Sequence, residues 1–252
     1  MTPWLEALWR LVYPEQCLVC GQVLEVGRRH FCPACHRGLP WIGDTPCPRC
    51  GAAAGRHANT AQGCAACRSQ RFAFRRAIAP LRYEGVARDL ILGFKLGRRA
   101  SLAYVLGDIL CDYLGESGLS QAVDLVAPVP LHWRRRATRG FNQAGLIALE
   151  IGTRFHLPVA TRLLKRQRAT MTQTALSGLR RGANVRGAFA ARSARNGGFL
   201  DRLTGRTTLL GKRVLLVDDV FTTGSTVNEC ARVLREAGVA EVLVATVAHT
   251  CR

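Results

Sequence analysis

The sequence has few acidic side chains. Its 252 residues carry 17 Asp and Glu against 36 Lys and Arg, which gives a formal net charge of +19. A surface of this charge attracts polyanions such as nucleic acid, phosphorylated metabolites or anionic lipid. Because Arg far outnumbers Lys, and Ala and Gly are abundant, genome composition and solvated faces explain the same excess. The charge alone therefore selects no function.

The sequence also lacks the patterns of several familiar protein classes. No apolar run approaches the roughly 20 residues that a membrane-spanning helix needs. The P-loop pattern, the dinucleotide-binding G-x-G-x-x-G and the zinc-protease H-E-x-x-H are all missing, which argues against those enzyme classes. Residues 1–16 carry apolar side chains at helical spacing without the features of a signal peptide. We predict a short amphipathic helix that packs on its own protein, with membrane contact as the weaker alternative, and we expect a cytoplasmic protein.

The cysteines are concentrated in the first quarter of the chain, in four C-x-x-C pairs. Two thiolates separated by two residues bind one metal ion from a tight knuckle, and two knuckles complete a tetrahedral zinc site. We therefore predict two structural zinc ions. The predicted ligands are Cys17, Cys20, Cys32, Cys35, Cys47, Cys50, Cys64 and Cys67.

The order in which the pairs combine is a separate question. Gly follows Cys20 and Cys50, as it often does in the first knuckle of a ribbon, which favours sequential pairing: the first four cysteines on one ion and the last four on the other. Interleaved pairing is the alternative. The segment is rich in Gly, Pro and Ala, so we expect metal binding to supply its folding free energy. The sequence leaves open whether it is a platform for a partner or a structural cap.

Residues 214–226 combine an apolar strand, two carboxylates, a short Thr/Gly loop and a helix that opens near Ser225. Ionised Asp218 and Asp219 can accept hydrogen bonds from the vicinal hydroxyls of a sugar. The amides at the start of the helix form a favourable site for a phosphate group. The structural alternative is a buried strand that ends in an Asp pair, followed by an ordinary helix cap.

This string resembles the phosphoribosyl-pyrophosphate (PRPP) motif of type I phosphoribosyltransferases, although Phe221 stands where an aliphatic residue is more usual. The resemblance implies that the carboxylates bind the ribose and act as the catalytic pair, and that the loop binds the 5-phosphate. The predicted PRPP-binding residues are Asp218, Asp219, Thr222, Thr223, Gly224, Ser225 and Thr226.

A strongly basic region precedes this motif. From Val129 to Arg186 the chain has twelve Lys or Arg and one acid, Glu150. A charge run is usually a solvated face, but arginine forks suit phosphate oxygens and this run brackets the predicted phosphate site. We predict that basic loops face the pyrophosphate through His132, Arg134, Arg139, Lys165, Arg166 and Arg168.

Apolar spacing predicts alternating strands and helices. We predict strands at residues 77–83, 123–129, 159–164, 187–191, 213–217 and 241–248, and helices at 86–96, 102–114, 141–155 and 225–237. This alternation indicates an α/β fold with a mostly parallel sheet and ligands at the carboxyl ends of its strands. The predicted organisation is an N-terminal helix (1–16), a double zinc ribbon (17–72), a connecting strand and helices (73–120) and a phosphoribosyltransferase-like domain (121–252).

Several stretches together resemble the ComF family of competence-associated, phosphoribosyltransferase-like proteins. They are the paired C-x-x-C ribbons, residues 128–132, 139–143, 168–173, 184–189 and 217–224. They cover nearly the whole chain, while the connection at 192–208 is longer than the family pattern. The resemblance implies a type I phosphoribosyltransferase-like parallel sheet with helices on both faces, preceded by a small double zinc-ribbon domain.

The resemblance also implies a function. It indicates a protein that binds PRPP with Mg²⁺ and acts in DNA uptake and natural transformation. Whether the chain catalyses pyrophosphate-releasing phosphoribosyl transfer, and to which base, is left open. The alternative is a non-catalytic basic module that binds single-stranded DNA or docks a helicase or recombination protein.

Overall fold

The computed structural model describes residues 14–25, 27–55, 60–97, 99–131, 138, 140–168, 185–192 and 209–251. The predicted N-terminal helix therefore lies almost wholly outside the described residues. The same holds for most of the basic loop at 132–139 and of the long connection at 192–208.

The described residues form five α-helices and seven strands. The helices are α1 (Pro33–Arg37), α2 (Gly85–Leu96), α3 (Leu102–Ser117), α4 (Gln143–Phe155) and α5 (Ser225–Glu236), with a 3-10 turn at Leu119–Ala122. The strands are β1 (Arg76–Ile78), β2 (Leu81–Arg82), β3 (Leu125–Pro128), β4 (Leu164–Arg166), β5 (Phe189–Ala191), β6 (Arg213–Phe221) and β7 (Glu241–His249). Of these helices, none combines the length and apolar character required to cross a bilayer.

The main sheet has five strands, and every pairing within it is parallel. Its order is β1-β7-β6-β3, and β2 pairs with β7 beyond the end of β1. The predicted mostly parallel sheet is therefore confirmed. All these strands end at one edge, where a parallel sheet places its ligands.

Two of the predicted strands are not members of this sheet. Residues 159–164 turn at Thr161–Leu163, and β4 then pairs antiparallel with β5 in a separate two-stranded ladder. Val159 alone reaches the sheet, through a parallel bridge to Val126. The polar pair Thr161 and Arg162 interrupts the apolar run, so the stretch cannot continue as a strand buried on both faces.

The predicted strand at 77–83 is split into β1 and β2. The break lies at Ala79 and Pro80. Proline has no N–H to donate to a neighbouring strand, so the ladder is interrupted there. After the break, β2 resumes the pairing with β7 at its carboxyl end, opposite Ala248 and His249.

Apolar side chains cover both faces of the sheet. Along β6, Val214 and Leu216 pack in the core that contains α5, whereas Leu215 and Val217 pack in the core beneath α2, α3 and α4. All four side chains are fully buried. Successive residues of a strand point to opposite faces, so this continuous apolar run fills two cores. The predicted helices on both faces are confirmed.

The cysteine-rich segment is attached to the edge of the sheet by its backbone. Trp41 makes an antiparallel bridge to Leu81, and the Ala77 N–H donates to the Arg49 carbonyl at 2.9 Å. Gly51 lies so close to β1 that a Cβ atom there would stand 2.8 Å from the Ala77 oxygen. These contacts fix the ribbons beside the strands that carry the candidate site.

Candidate functional site

The eight cysteines form two compact clusters. In each cluster the sulfur atoms all lie within 4.8 Å of one another, and the members follow the chain order: Cys17, Cys20, Cys32 and Cys35 in the first, Cys47, Cys50, Cys64 and Cys67 in the second. The sequential pairing is confirmed and the interleaved alternative is excluded.

The spacing of the sulfur atoms fits zinc. Cys20 and Cys32 Sγ are 3.8 Å apart, and in the second cluster the Cys47–Cys67 and Cys50–Cys64 separations are both 3.6 Å. A tetrahedron with Zn–S bonds of about 2.3 Å has edges of about 3.8 Å. Four thiols at this separation, with no open position, fit a structural zinc ion in each ribbon.

The predicted PRPP motif lies at the carboxyl end of β6 and lines a cavity of about 230 Å³. Five predicted residues contribute to its wall: Asp218, Asp219, Thr222, Gly224 and Thr226. Thr223 and Ser225 lie on the other side of the loop, where their hydroxyl oxygens are 2.8 Å apart. The carboxylate pair and the loop therefore share one concave site.

The two carboxylates have different surroundings. The Asp219 N–H donates to Asp218 Oδ1 at 2.9 Å, and the Lys95 ammonium lies 2.9 Å from Asp219 Oδ1. Burial, reinforced by the neighbouring Asp219 charge, raises the pKa of Asp218 to about 7, against the opposing charges of Lys95 and Arg166. In the ligand-free protein burial therefore favours the protonated form of Asp218 more than it would in an exposed aspartate.

The loop after β6 is shaped by Gly224 and Phe221. Gly224 has φ of +74°, and a Cβ atom there would lie 2.5 Å from Phe221 Cζ. The Phe221 ring also stacks on His249, with centroids 4.8 Å apart. The aromatic residue at position 221 is therefore accommodated by a glycine that could not be replaced without a shift.

Helix α5 begins directly after this glycine. The first amides of an α-helix have no partner within the helix, and the macrodipole adds partial positive charge at that end. One turn into the helix, Asn228 N–H donates to the Gly224 carbonyl at 2.8 Å. The start of α5 thus has the character of an anion site.

Of the six predicted basic residues, Arg166 lines the cavity. Its guanidinium stands over the Phe189 ring at 5.2 Å from the centroid. Lys165, its neighbour on β4, is exposed and does not line this cavity, because successive strand residues point to opposite sides. Arg168 donates to the Arg186 carbonyl at 3.0 Å, also away from the cavity. His132, Arg134 and Arg139 lie outside the described residues.

The cavity also contains residues that were not predicted to belong to it. Lys95 comes from the last turn of α2, and Asn142 and Gln143 from the start of α4. Asn142 Nδ2 donates to the Val129 carbonyl at 3.2 Å, which ties α4 to the end of β3. No spacing in the sequence connects Lys95 with the carboxylates more than 120 residues later, so only the fold reveals their contact.

A buried carboxylate holds the β4–β5 ladder against α5. Glu229 accepts from the Gly187 N–H at 2.7 Å and pairs with Arg232, also at 2.7 Å. Gly187 has φ of +69°. The Arg232 contact keeps the pKa of Glu229 low, so the carboxylate is charged and accepts strongly. This contact supports the ladder that presents Arg166.

Comparison with known proteins agrees with this architecture. A double zinc ribbon domain matches residues 8–68 and a phosphoribosyl transferase domain matches residues 137–250. The chain is 32% identical to DNA utilization protein YhgH of Escherichia coli K12 over 238 residues, which are 93% of this chain and 96% of the relative. The chain belongs to the ComF family.

Two further ComF relatives show similarity over most of their length. Competence protein F of Haemophilus influenzae is 28% identical over 232 residues, covering 91% of this chain and 94% of that protein. Competence protein ComFC of Streptococcus pneumoniae is 25% identical over 240 residues, covering 90% and 96%. The similarity to these relatives thus extends over both the double zinc ribbon and the phosphoribosyl transferase domain of this chain.

Proposed function

We propose that this ComF protein binds PRPP with Mg²⁺ in the cavity at the end of β6 and acts in DNA uptake and natural transformation. The observation that carries the proposal is the sharing of one cavity by a carboxylate pair, a helix-capping loop and basic side chains. A 5-phosphorylated sugar that carries a pyrophosphate needs hydrogen-bond acceptors for its hydroxyls and donors for its anions, in adjacent places.

The residues would divide the ligand between them. Asp218 and Asp219 would accept from the ribose hydroxyls, as the proposed catalytic pair. The amides and hydroxyls from Thr222 to Thr226 would donate to the 5-phosphate. Arg166, held over Phe189, would face the pyrophosphate together with the basic loops.

Binding would change the state of Asp218. A hydroxyl that donates to this carboxylate favours its ionised form, so ligand binding would release the proton that burial favours in the free protein. Mg²⁺, a hard cation held mostly by PRPP oxygens and water, would offset part of the pyrophosphate charge. If phosphoribosyl transfer follows, the pocket would contribute positioning and electrostatic stabilisation.

The role in DNA handling rests on the relatives and on charge. The names of the relatives refer to competence and DNA utilization. A net charge of +19 suits a protein that meets single-stranded DNA or a DNA-bound helicase. The zinc-binding thiols would be kept reduced in the cytoplasm, where we place the protein.

Calorimetry tests the binding site. Titration of PRPP and Mg²⁺ should give one site in the wild-type chain, and an affinity at least tenfold lower in the Asp218→Asn/Asp219→Asn variant, because hydrogen bonds to charged groups contribute about 1.5–3 kcal/mol each. Asp112→Asn, on the exposed side of α3, is the control that also removes an acid. Equal PRPP affinity in the wild type and the double variant would refute the site.

A second assay separates a transferase from a protein that binds PRPP as a regulatory ligand. Pyrophosphate release is measured with PRPP, Mg²⁺ and a panel of nucleobases. Release above the rate of the double Asn variant, with one base preferred, identifies a transferase. No release from a protein that binds PRPP in calorimetry identifies a regulatory site.

Complementation tests the biological role. The chain is expressed in Haemophilus influenzae that lacks Competence protein F, and transformation frequency is measured. We expect the wild-type chain to restore transformation and the double Asn variant to fail at equal expression. A wild-type chain that is expressed and folded yet restores nothing would contradict the role in DNA uptake.

A further inference from the structure

Lys95 joins an early helix to the carboxylate pair. It lies in the last turn of α2, and its Nζ atom is 2.9 Å from Asp219 Oδ1. Both partners are largely buried, with 20% of the lysine side chain and 14% of the aspartate side chain exposed. The contact is therefore part of the cavity wall and not a surface ion pair.

The type of residue is informative. The chain has 36 basic residues but only three lysines, Lys95, Lys165 and Lys212. An arginine would clamp the carboxylate with a rigid fork, whereas lysine is a compact charge on a flexible stem that can change partners. A lysine at this position therefore suits a contact that must be exchanged.

The charge balance of the cavity favours such an exchange. Among the described residues that line it, the charged side chains are Lys95, Arg166, Asp218 and Asp219. These side chains nearly cancel before a ligand arrives, and a pyrophosphate brings several further negative charges. Ribose hydroxyls would donate to the same Asp219 carboxylate that Lys95 contacts, and so would weaken its attraction for the lysine.

We infer that Lys95 is a pyrophosphate-binding residue, held by Asp219 in the free protein and transferred to the pyrophosphate when PRPP binds. The inference rests on the proposed binding of PRPP at this site. The chemistry makes the transfer short, because the ribose hydroxyls sit next to C1, the carbon that carries the pyrophosphate. A lysine that contacts the carboxylate that binds those hydroxyls can therefore reach the pyrophosphate oxygens by rotation of its own side chain.

A purely structural role for Lys95 makes a different prediction. If the lysine only neutralised or oriented Asp219, it would affect every sugar phosphate that uses that carboxylate to the same degree. If it binds the pyrophosphate, it would distinguish PRPP from ribose 5-phosphate, which shares the sugar and the 5-phosphate. The comparison of these two ligands separates the roles.

The wild-type protein allows a direct test, because three lysines can be followed individually. Acetic anhydride labelling and mass spectrometry would measure the acetylation rate of each lysine. We expect saturating PRPP and Mg²⁺ to slow acetylation of Lys95 at least threefold, while ribose 5-phosphate does not slow it. Lys212, at the opposite end of β6, is the internal control and should be unaffected.

Two results would overturn the inference while PRPP binding itself is confirmed by calorimetry. One is an acetylation rate of Lys95 that PRPP leaves unchanged or raises. The other is equal protection by PRPP and ribose 5-phosphate. A protein that binds no PRPP at all would instead refute the proposed function, and this inference with it.

A substitution of Lys95 gives a quantitative test of the inference. Lys95→Gln should weaken PRPP at least tenfold and ribose 5-phosphate less than threefold, and Lys212→Gln, which removes the same charge far from the site, should change neither. Equal losses for both ligands, or no loss, would contradict the inference. If Lys95→Gln fails to fold, as judged by circular dichroism, the labelling result on the wild-type protein decides.

Discussion

The zinc ribbons and the parallel sheet of this ComF protein are stabilised by different forces. In the sheet, Val214, Leu215, Leu216 and Val217 are fully buried between helices on both faces. In the ribbons, many of the buried side chains are the cysteines themselves: Cys17, Cys32, Cys47, Cys50 and Cys67. Apolar burial therefore builds the sheet, whereas metal ligation builds the ribbons.

The difference assigns separate roles to the two regions. The walls of the candidate site come from β6, α2, α4, α5 and β4, so the cavity is formed by the region around the sheet. Ribbon residues such as Phe31 and Cys47 pack against the apolar cores of that region. Phe72, at the end of the ribbon segment, and Phe74, just after it, meet the Phe221 ring edge-on at centroid distances of 6.4 and 6.2 Å. We expect the ribbons to support the site from outside and not to create it.

Removal of zinc should have the largest effect and should be confined to the ribbons. Structural zinc contributes about 10–16 kcal/mol in zinc-finger peptides, more than a segment with little apolar core can replace. Metal analysis should find about two zinc ions per chain. After chelation, hydrogen exchange should show lost protection at residues 17–67 and retained protection in β6. A simultaneous loss of protection in β6 would show that the sheet also depends on zinc.

Truncation in the sheet core should have the next largest effect. Leu215→Ala should lower the free energy of unfolding by about 2–5 kcal/mol, because it leaves a cavity beneath the helices. Leu210→Ala is the matched control, since Leu210 is 77% exposed. Urea unfolding of the zinc-loaded protein measures both. A cost for Leu215→Ala no larger than that of the control would mean that apolar burial does not hold the sheet.

Substitution in the loop after β6 should have a smaller effect on stability. Gly224→Ala places a Cβ atom against the Phe221 ring in a left-handed backbone conformation, and should cost about 1–3 kcal/mol. Gly55→Ala, in the second ribbon, meets no atom within 4 Å and has no positive φ, so it should cost little. Thermal unfolding compares the two variants. In calorimetry, Gly224→Ala should bind PRPP more weakly than the wild type, whereas Gly55→Ala should not.

The last predicted effect is a pH dependence of stability that arises from the sheet. Burial raises the pKa of Asp218 from 3.8 to about 7. The unfolded chain releases this proton near pH 4 and the folded protein near pH 7, so the stability due to this group is present below pH 4 and is lost as the pH rises to about 7.

Asp218→Asn removes that dependence. The stability of the variant relative to the wild type should therefore increase between pH 5 and pH 7.5 and then level off. Melting temperatures of both ligand-free proteins across this range provide the measurement, and contributions from the zinc sites cancel in the difference. A difference that does not vary with pH would show that Asp218 titrates normally.

The sequence predicted the features that are local in the chain. The C-x-x-C spacing gave the two zinc clusters, since ligand knuckles are formed by neighbouring residues. The carboxylates, loop and helix start between residues 214 and 226 are contiguous, so their position around one cavity at the end of β6 could be predicted. The apolar run of β6 likewise indicated a strand buried on both faces.

Features that depend on tertiary contacts could not be predicted. Lys95 reaches Asp219 only because α2 packs beside the end of β6. The β4–β5 ladder lies off the sheet because a short apolar run does not specify its partner strand. The raised pKa of Asp218 depends on burial by elements far apart in the sequence.

The most direct test of the central claim is a crystal structure of the protein with PRPP and Mg²⁺. We predict ribose hydroxyl oxygens at hydrogen-bond distance, about 2.5–3.0 Å, from the carboxylates of Asp218 and Asp219, with the 5-phosphate on the amides that follow Thr222. Ligand bound elsewhere while this cavity stays empty would contradict the account.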